Sequence, residues 1–255
     1  PLKPQTGSQS MITCRYIPFT FPGLPGIGCL FTTRQASFHS PATGNASSQG
    51  ESPFSRGMRR LQKESGFKAW RTVRQVHGRA MVFCTAEDNC EQTEADALAT
   101  AESGQALAIR TADCQPILVA HVSGRFIAAL HVGWRGNRAN TPGLWIERFC
   151  RSFGLDPADL LAVRGPSLSP HKSEFIHFDQ EWGEEFLPYF DPFQRTVNLW
   201  QLTRDQLLQT GLRRENVFGL DLCTYSQPEL FYSHRRARDQ GRQAGLIWIK
   251  DTQKP

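Results

Sequence analysis

The 255-residue chain has no apolar run approaching the roughly 20 residues a membrane-spanning helix requires. Its best stretches, Pro116 to Val122 and Phe126 to Val132, each carry a histidine. The reading is therefore of a protein with no membrane role. The opening P-L-K-P-Q-T-G-S-Q-S is polar and offers neither a basic start nor an apolar region, so no export signal is expected. There is no C-x-x-C pair: the seven cysteines at 14, 29, 84, 90, 114, 150 and 223 are odd in number and scattered, which excludes a disulfide framework and favours a reducing, cytoplasmic setting. No Walker loop, G-x-G-x-x-G, H-E-x-x-H or G-x-S-x-G occurs, which removes most nucleotide-triphosphate, dinucleotide, zincin and serine-hydrolase readings. None of the seven histidines forms an H-x-H pair, so a multicopper oxidase is disfavoured.

The formal charge of +5 is spread along the chain, and its densest cluster is Arg235, Arg236, Arg238 and Arg242. Dispersed charge of this size argues against nucleic acid as a partner; the cluster suits a small phosphate or a solvated face. With 39% hydrophobic and 21% charged residues, the composition is that of a globular protein.

Residues 1–10, ahead of the first methionine at 11, are read as a disordered tail or expression remnant, and residues 11–255 as one domain. A first strand is expected at Cys29–Thr33, after a Pro- and Gly-rich lead-in. An exposed loop follows at 36–57, then a helix at Met58–Ser65 stopped by Gly66, and a strand near Trp70–Gln75. Short apolar runs at Ala80–Cys84, Ala97–Thr100, Ala106–Arg110, Ile117–Val122 and Phe126–His131 read as strands. The last two, separated by three residues, should form an antiparallel hairpin covered on both faces. Thr141 and Pro142 mark the N-cap and first turn of a helix ending at Gly154; further helices are expected at Phe178–Leu187 and Leu199–Thr210, and a final strand at Ala244–Ile249. Helices follow strands without strict alternation, so the fold class is α+β.

Three stretches place reactive side chains where backbone leaves a strand: Q-V-H-G at 75–78, R-T-A-D-C-Q-P at 110–116 and A-L-H-V-G-W-R-G at 129–136. His77, Cys114 and His131 together make a three-ligand zinc site with an open fourth position, the pattern of catalytic zinc. The same atoms equally make a cysteine nucleophile activated by histidine, and spacing does not choose between them. Taken singly, each is also a structural histidine or a small buried thiol. Asp96 and Asp113 are candidates to orient a histidine or handle a proton, against Asx-turns as the simpler reading. Arg135 is either a phosphate contact or a stacking partner of Trp134.

On these same motifs the chain resembles the YfiH-like proteins, also called laccase-domain or polyphenol oxidase family proteins. The resemblance runs from F-T-T-R at 31–34 to L-I-W-I at 246–249 and includes R-Q-V-H-G at 74–78, E-A-D-A-L-A-T at 94–100, R-T-A-D-C-Q-P-I-L-V-A at 110–120, H-V-G-W-R-G at 131–136, R-G-P-S-L at 164–168 and L-C-T-Y at 222–225. It implies a mixed β-sandwich flanked by helices, related to the catalytic domain of cytotoxic necrotizing factor toxins. It further implies a metal-binding and catalytic triad of His77, Cys114 and His131 holding zinc, or copper in its place. Arg34, Asp113 and Arg135 then become substrate contacts, with Asp113 orienting groups or handling a proton. The implied activity is phosphorolysis of adenosine, inosine, guanosine or methylthioadenosine with deamination of adenosine, in a cytoplasmic monomer or small homo-oligomer whose partners are a purine nucleoside and phosphate. Two alternatives keep the same residues: a Cys–His amidase or deamidase acting on a peptidoglycan-precursor-like amide, and a copper-dependent, laccase-like polyphenol oxidase. The chain departs from the family pattern at Gln35–Phe38, at His171 and Lys172, and at Ala237 and Arg238.

Overall fold

The computed structural model describes residues 14–36, 52–238 and 241–251, so the expected tail at 1–10 and most of the expected loop at 36–57 lie outside the described residues. In chain order the strands are β1 (Tyr16–Pro18), β2 (Ile27–Thr32), β3 (Ala69–Arg71), β4 (Met81–Phe83), β5 (Ala97–Thr100), β6 (Gln105–Thr111), β7 (Gln115–His121), β8 (Ile127–Val132), β9 (Leu160–Arg164), β10 (Phe190–Asp191), β11 (Thr196–Val197), β12 (Val217–Gly219) and β13 (Gln243–Ile249). The helices are α1 (Pro53–Ser65), α2 (Trp134–Arg138), α3 (Thr141–Phe153), α4 (Phe178–Glu181), α5 (Leu199–Gln209) and α6 (His234–Ala237). Five strands form one sheet in the order β1-β2-β13-β6-β3, and six form a second in the order β12-β9-β7-β8-β5-β4. Both sheets are mainly antiparallel, with parallel pairs at β3–β6, β4–β5 and β9–β12.

The period-2 pattern of each strand assigns its side chains to layers. Cys29 and Phe31 of β2, Leu107 and Ile109 of β6, Leu118 and Ala120 of β7, Ile127 and Ala129 of β8 and Ile247 of β13 meet in one cluster between the sheets. The alternate residues Ile117, Val119, Ala128, Leu130 and Val132 pack outward on Trp145, Ile146 and Phe149 of α3 and Leu207 of α5. On the other side, Leu30, Ala106, Ala108, Leu246 and Trp248 pack on Phe54, Met58 and Leu61 of α1. The result is a helix–sheet–sheet–helix sandwich, and the near-continuous apolar runs are buried on both faces as expected. A fourth cluster, Phe175, Phe178, Trp182, Phe186, Val197, Leu199 and Leu202, forms a cap built from residues 173–202.

Several elements differ from expectation for local reasons. Helix α1 begins at Pro53 instead of Met58, because the Ser52 side chain accepts the N–H of Ser55 and Pro53 opens the first turn; Gly66 ends it in the left-handed conformation, φ 77°. The strand near 70–75 stops at Arg71. Thr141 lies inside α3, and the residue before it, Asn140, is the N-cap with φ 48°. The helix expected at Phe178–Leu187 closes after one turn at Glu181, and a 3₁₀ helix, Glu184–Tyr189, follows Gly183. Strands β9 and β12, unmarked in the sequence reading, extend the six-stranded sheet. Trp248 pairs across β2 with Gly28, where a Cβ would run into the indole, so that glycine is fixed by close approach. Among the described residues, no helix is long and apolar enough to cross a membrane.

Candidate metal centre

The register of the six-stranded sheet assembles the site. In β8 the stripe Ile127, Ala129 points between the sheets, and the next position on that face is His131. Residue 131 pairs with Pro116 at the start of β7, so Cys114, in the turn joining β6 to β7, lies beside it. On the other flank Ala97 of β5 pairs with Leu130, and the His131 N–H donates to the Asp96 carbonyl at 2.7 Å. Two strand neighbours thus supply a cysteine and an aspartate to one buried histidine. His77 arrives from the loop after β3, which Asp96 fastens: its carboxylate accepts the backbone N–H groups of Val76 at 3.2 Å, His77 at 2.9 Å and Gly78 at 2.7 Å. His77 is left-handed, φ 56°, a conformation costly for a non-glycine residue and held here by those bonds.

One ligand atom from each of His77, Cys114 and His131 lies within 4.8 Å of the others. Gly133 closes the floor: a Cβ there would stand 3.0 Å from the Cys114 Sγ and 3.1 Å from the His77 Nδ1. This donor set, two imidazoles and a thiol around one point, fits a zinc- or copper-type ion and leaves a fourth position open. Asp96 Oδ1 lies 2.7 Å from His131 Nδ1, which commits Nε2 of that ring to the ligand role; a carboxylate behind a ligating histidine is the usual supporting arrangement. Burial pushes His131 down, but the Cys114 sulfur and the Asp96 carboxylate outweigh it and bring the imidazole up to about 9. Burial also pushes Asp96 up, yet the bond from His131 and the backbone donors of the 76–78 loop leave it below the usual carboxylate range. His77 is lowered by burial and by the nearby His131.

The triad sits in a cavity of about 680 Å³ whose lining includes Arg110, Asp113, Trp134, Arg135, Ser173 and Phe175. The structure therefore brings His77, Cys114, His131, Asp113 and Arg135 together. It does not bring Arg34 to the lining: that guanidinium lies 4.8 Å over the Tyr232 ring and donates to the Pro228 carbonyl. Of the two aspartates expected to orient a histidine or handle a proton, Asp113 makes no hydrogen bond to a histidine among the described residues. Its Oδ1 accepts the Thr224 hydroxyl at 2.7 Å and its Oδ2 the Arg235 N–H at 2.7 Å, pinning two distant loops to the β6–β7 turn. Asp96 takes the orienting role instead. It is a fully buried carboxylate one residue ahead of the apolar β5, a placement visible in sequence as a charge at the head of a strand. Arg135 stacks on Trp134 at 4.4 Å and also lines the cavity. Of the arginine cluster, Arg235 and Arg242 reach the lining, whereas Arg236 is spent on the carbonyls of Thr224, Tyr225 and Phe231. Sequence reasoning missed Ser173 and Phe175, since the cap that carries them has no motif of its own.

A protein-family model described as "Multi-copper polyphenol oxidoreductase laccase" matches residues 29–250. Among curated proteins, "Purine nucleoside phosphorylase YfiH" of Escherichia coli K12 is 33% identical over 185 residues, covering 69% of this chain and 72% of that one. "Purine nucleoside phosphorylase" of Xylella fastidiosa strain Temecula1 is 33% identical over 253 residues, covering 90% and 95%. Among solved structures, YlmD from Geobacillus stearothermophilus superimposes with a TM-score of 0.77 at 22% identity, covering 93% of this chain and 97% of that one, which is a likeness of fold. With that family model matching residues 29–250 and curated relatives 33% identical over most of its length, the chain belongs to the YfiH-like family that this laccase-domain model describes.

Proposed function

We propose that this protein is a metal-dependent purine nucleoside enzyme, catalysing phosphorolysis of adenosine, inosine, guanosine or methylthioadenosine and hydrolytic deamination of adenosine. The observation that carries the reading is the convergence of His77, Cys114 and His131 within 4.8 Å at the cavity wall, in a chain whose curated relatives are named purine nucleoside phosphorylases. When bound, a zinc ion supplies Lewis-acid charge, which polarises electrophiles and acidifies water.

The chain's own residues supply the rest. Asp96 holds the proton at Nδ1 of His131 and so fixes the tautomer that presents Nε2. By bonding to three successive backbone N–H groups, the same carboxylate holds His77 against the centre without a side-chain tether. Trp134 and Phe175, in edge contact at 5.6 Å between ring centroids, form an apolar wall suited to a flat base. In phosphorolysis the C1′–N9 bond breaks as a phosphate oxygen bonds to C1′, and the departing purine takes up a proton; the arginine-rich lining favours the phosphate. In deamination water adds at C6 and ammonia leaves.

A second reading, copper-dependent oxidation of phenols, is favoured by the description of the matching family model and by copper's preference for nitrogen and sulfur donors. Against it, the His77–Cys114–His131 set is the one such cluster among the described residues, and multicopper chemistry needs several. The third reading, a Cys114 nucleophile beside His131, needs no metal. One experiment separates all three. Metal-stripped protein is reloaded with zinc or with copper and incubated with adenosine, with and without phosphate, and separately with a phenol; adenine, inosine and hypoxanthine are resolved by chromatography, with Cys114→Ala in parallel. Zinc-restored adenine or inosine, lost in Cys114→Ala, supports the nucleoside reading. Phenol oxidation restored by copper alone, with no nucleoside turnover, replaces it by the second. Inertness towards both, in a folded metal-loaded protein, turns attention to amide substrates.

A further inference from the structure

Cys84 and Cys90 belong to neither the metal centre nor the cavity lining, and both are free thiols. The Cys90 S–H points at the Cys84 sulfur, 3.7 Å away. The two are buried, 4% and 5% exposed, in the apolar cluster between the sheets with Val73, Ala95 and Leu98. The backbone on either side builds this contact. Cys84 continues the β4–β5 ladder: its N–H donates to the Ala99 carbonyl at 2.8 Å, and its carbonyl accepts the Thr100 hydroxyl at 2.8 Å. Cys90 opens a turn in which its carbonyl accepts the Thr93 N–H at 2.9 Å. Residues 85–89 between them are exposed, and Arg71 and Gln105 hold that segment by donating to the Ala86 and Thr85 carbonyls.

The chain that leaves Cys90 runs directly to the metal centre. The Arg74 N–H donates to the Thr93 carbonyl at 2.9 Å and the Arg74 carbonyl accepts the Ala95 N–H at 3.2 Å, which sets residues 93–95 beside the loop that carries His77. Asp96, the next residue, holds that loop and His131. A disulfide brings its sulfurs to about 2.05 Å, so less than about 2 Å separates this dithiol from the bonded form, a distance within reach of side-chain rotation. Burial favours the product, since a disulfide carries no S–H donor and no charge into the apolar cluster. Burial also pushes the Cys84 thiol well above its ordinary 9.0, so at neutral pH the reaction waits on local opening of the exposed 85–89 segment. Residues 85–94 include Glu87, Asp88, Glu91 and Glu94 and no lysine or arginine, which repels anionic oxidants and favours a neutral one.

We propose that Cys84 and Cys90 are a reversible disulfide site, oxidised by hydrogen peroxide, whose closure staples the end of β4 to the segment that carries Asp96. One sulfur attacks a peroxide oxygen and breaks the O–O bond; the leaving hydroxide takes the thiol proton as water, and a sulfenic acid remains. The other sulfur attacks the sulfenic sulfur, and the displaced hydroxyl leaves with the second thiol proton as a second water. The two thiols lose two electrons in all, and the peroxide takes both. A dithiol reductant reverses the step by taking the S–S bond into its own disulfide. In a reducing setting the pair rests as the dithiol and closes only when peroxide rises.

The test reads covalent state and stability in the full-length protein. Reduced protein is treated with hydrogen peroxide, free thiols are blocked with iodoacetamide, and the chain is digested. No lysine or arginine lies between Arg79 and Arg110, so trypsin leaves both cysteines on the peptide 80–110, and cleavage after Glu87 separates them. The expected peptide is unblocked and lighter by two hydrogens, apart from any oxygen taken up at Met81. Its halves stay joined after cleavage at Glu87 until dithiothreitol parts them. Cys84→Ala and Cys90→Ala should lose the link, and Cys150→Ala, which replaces a buried cysteine of α3, should keep it. The oxidised parent should melt about 5–9 °C above the reduced parent, because the bond closes a short loop of the unfolded chain; Cys84→Ala treated alike should show no such rise. The parent's own peptides carry the covalent readout, so a variant that misfolds does not decide it. Two blocked thiols on 80–110 after peroxide, or either cysteine oxidised to a sulfinic acid with no link, overturns the disulfide. A linked protein that melts with the reduced one or below it overturns the staple.

Discussion

Replacing Asp96 by asparagine tests whether one carboxylate holds the centre together. The side chain is fully buried and accepts four bonds, from three backbone N–H groups of the 76–78 loop and from His131 Nδ1. Asparagine offers one oxygen and one NH₂ in the same place, so whichever way it turns, a donor faces donors. Losing two charge-assisted bonds at 1.5–3 kcal/mol each amounts to about 3–6 kcal/mol. For a protein of this size, where 1 kcal/mol moves Tm by roughly 2–4 °C, the loss should lower Tm by about 6–24 °C. A second readout isolates the site: with the His131 tautomer unpinned and the His77 loop untied, zinc affinity should fall roughly 10–100-fold. Calorimetry on metal-free protein gives the first quantity, and competition with a chromophoric chelator the second. A variant that melts with the parent and binds zinc equally well would refute the assignment of Asp96 as the anchor.

Gly133→Ala should weaken metal binding while leaving Tm nearly unchanged, because φ −90° suits alanine but its Cβ presses on Cys114 Sγ and His77 Nδ1; chelator competition and calorimetry read the two effects. Cobalt(II) substitution should produce a thiolate charge-transfer band that Cys114→Ser abolishes, and a band surviving in that variant would remove Cys114 from the ligand set. Gly28→Ala should cost about 1–3 kcal/mol in a denaturant melt by forcing Trp248 off its pairing with β2, with metal affinity unaffected. Burial pushes the Cys150 thiol from its ordinary 9.0 up to about 11, and Cys29 is raised in the same way. A raised folded pKa contributes stability fully present below the unfolded value and lost as pH rises, so the denaturation midpoint should decline between pH 9 and about 11.

The sequence by itself determined the layers and the reactive groups. Near-continuous apolar runs marked β5 to β8 as strands and the β7–β8 hairpin as covered on both faces, because that pattern is local to each segment. The hairpin of β7 and β8, the start and stop of α3 and the motif residues His77, Cys114 and His131 were legible for the same reason: each depends on neighbours a few positions away. Strands β9 and β12 were not, since the runs Leu160–Arg164 and Val217–Gly219 gain their identity from pairing with distant segments. Nor was the division of labour between the two aspartates. Both precede apolar strands, but β5 pairs in register with β8, which sets Asp96 beside His131, whereas the left-handed turn at Asp113, φ 89°, hands its carboxylate to Thr224 and Arg235, more than a hundred residues away. The use of the arginines was decided at the same level: Arg110 and Arg135 stack on Phe54 and Trp134 at the cavity, while Arg236 was absorbed by loop carbonyls. Periodicity and motif report which side chains a segment presents; only long-range pairing, fixed by the packing of the whole sandwich, decides what each of them meets.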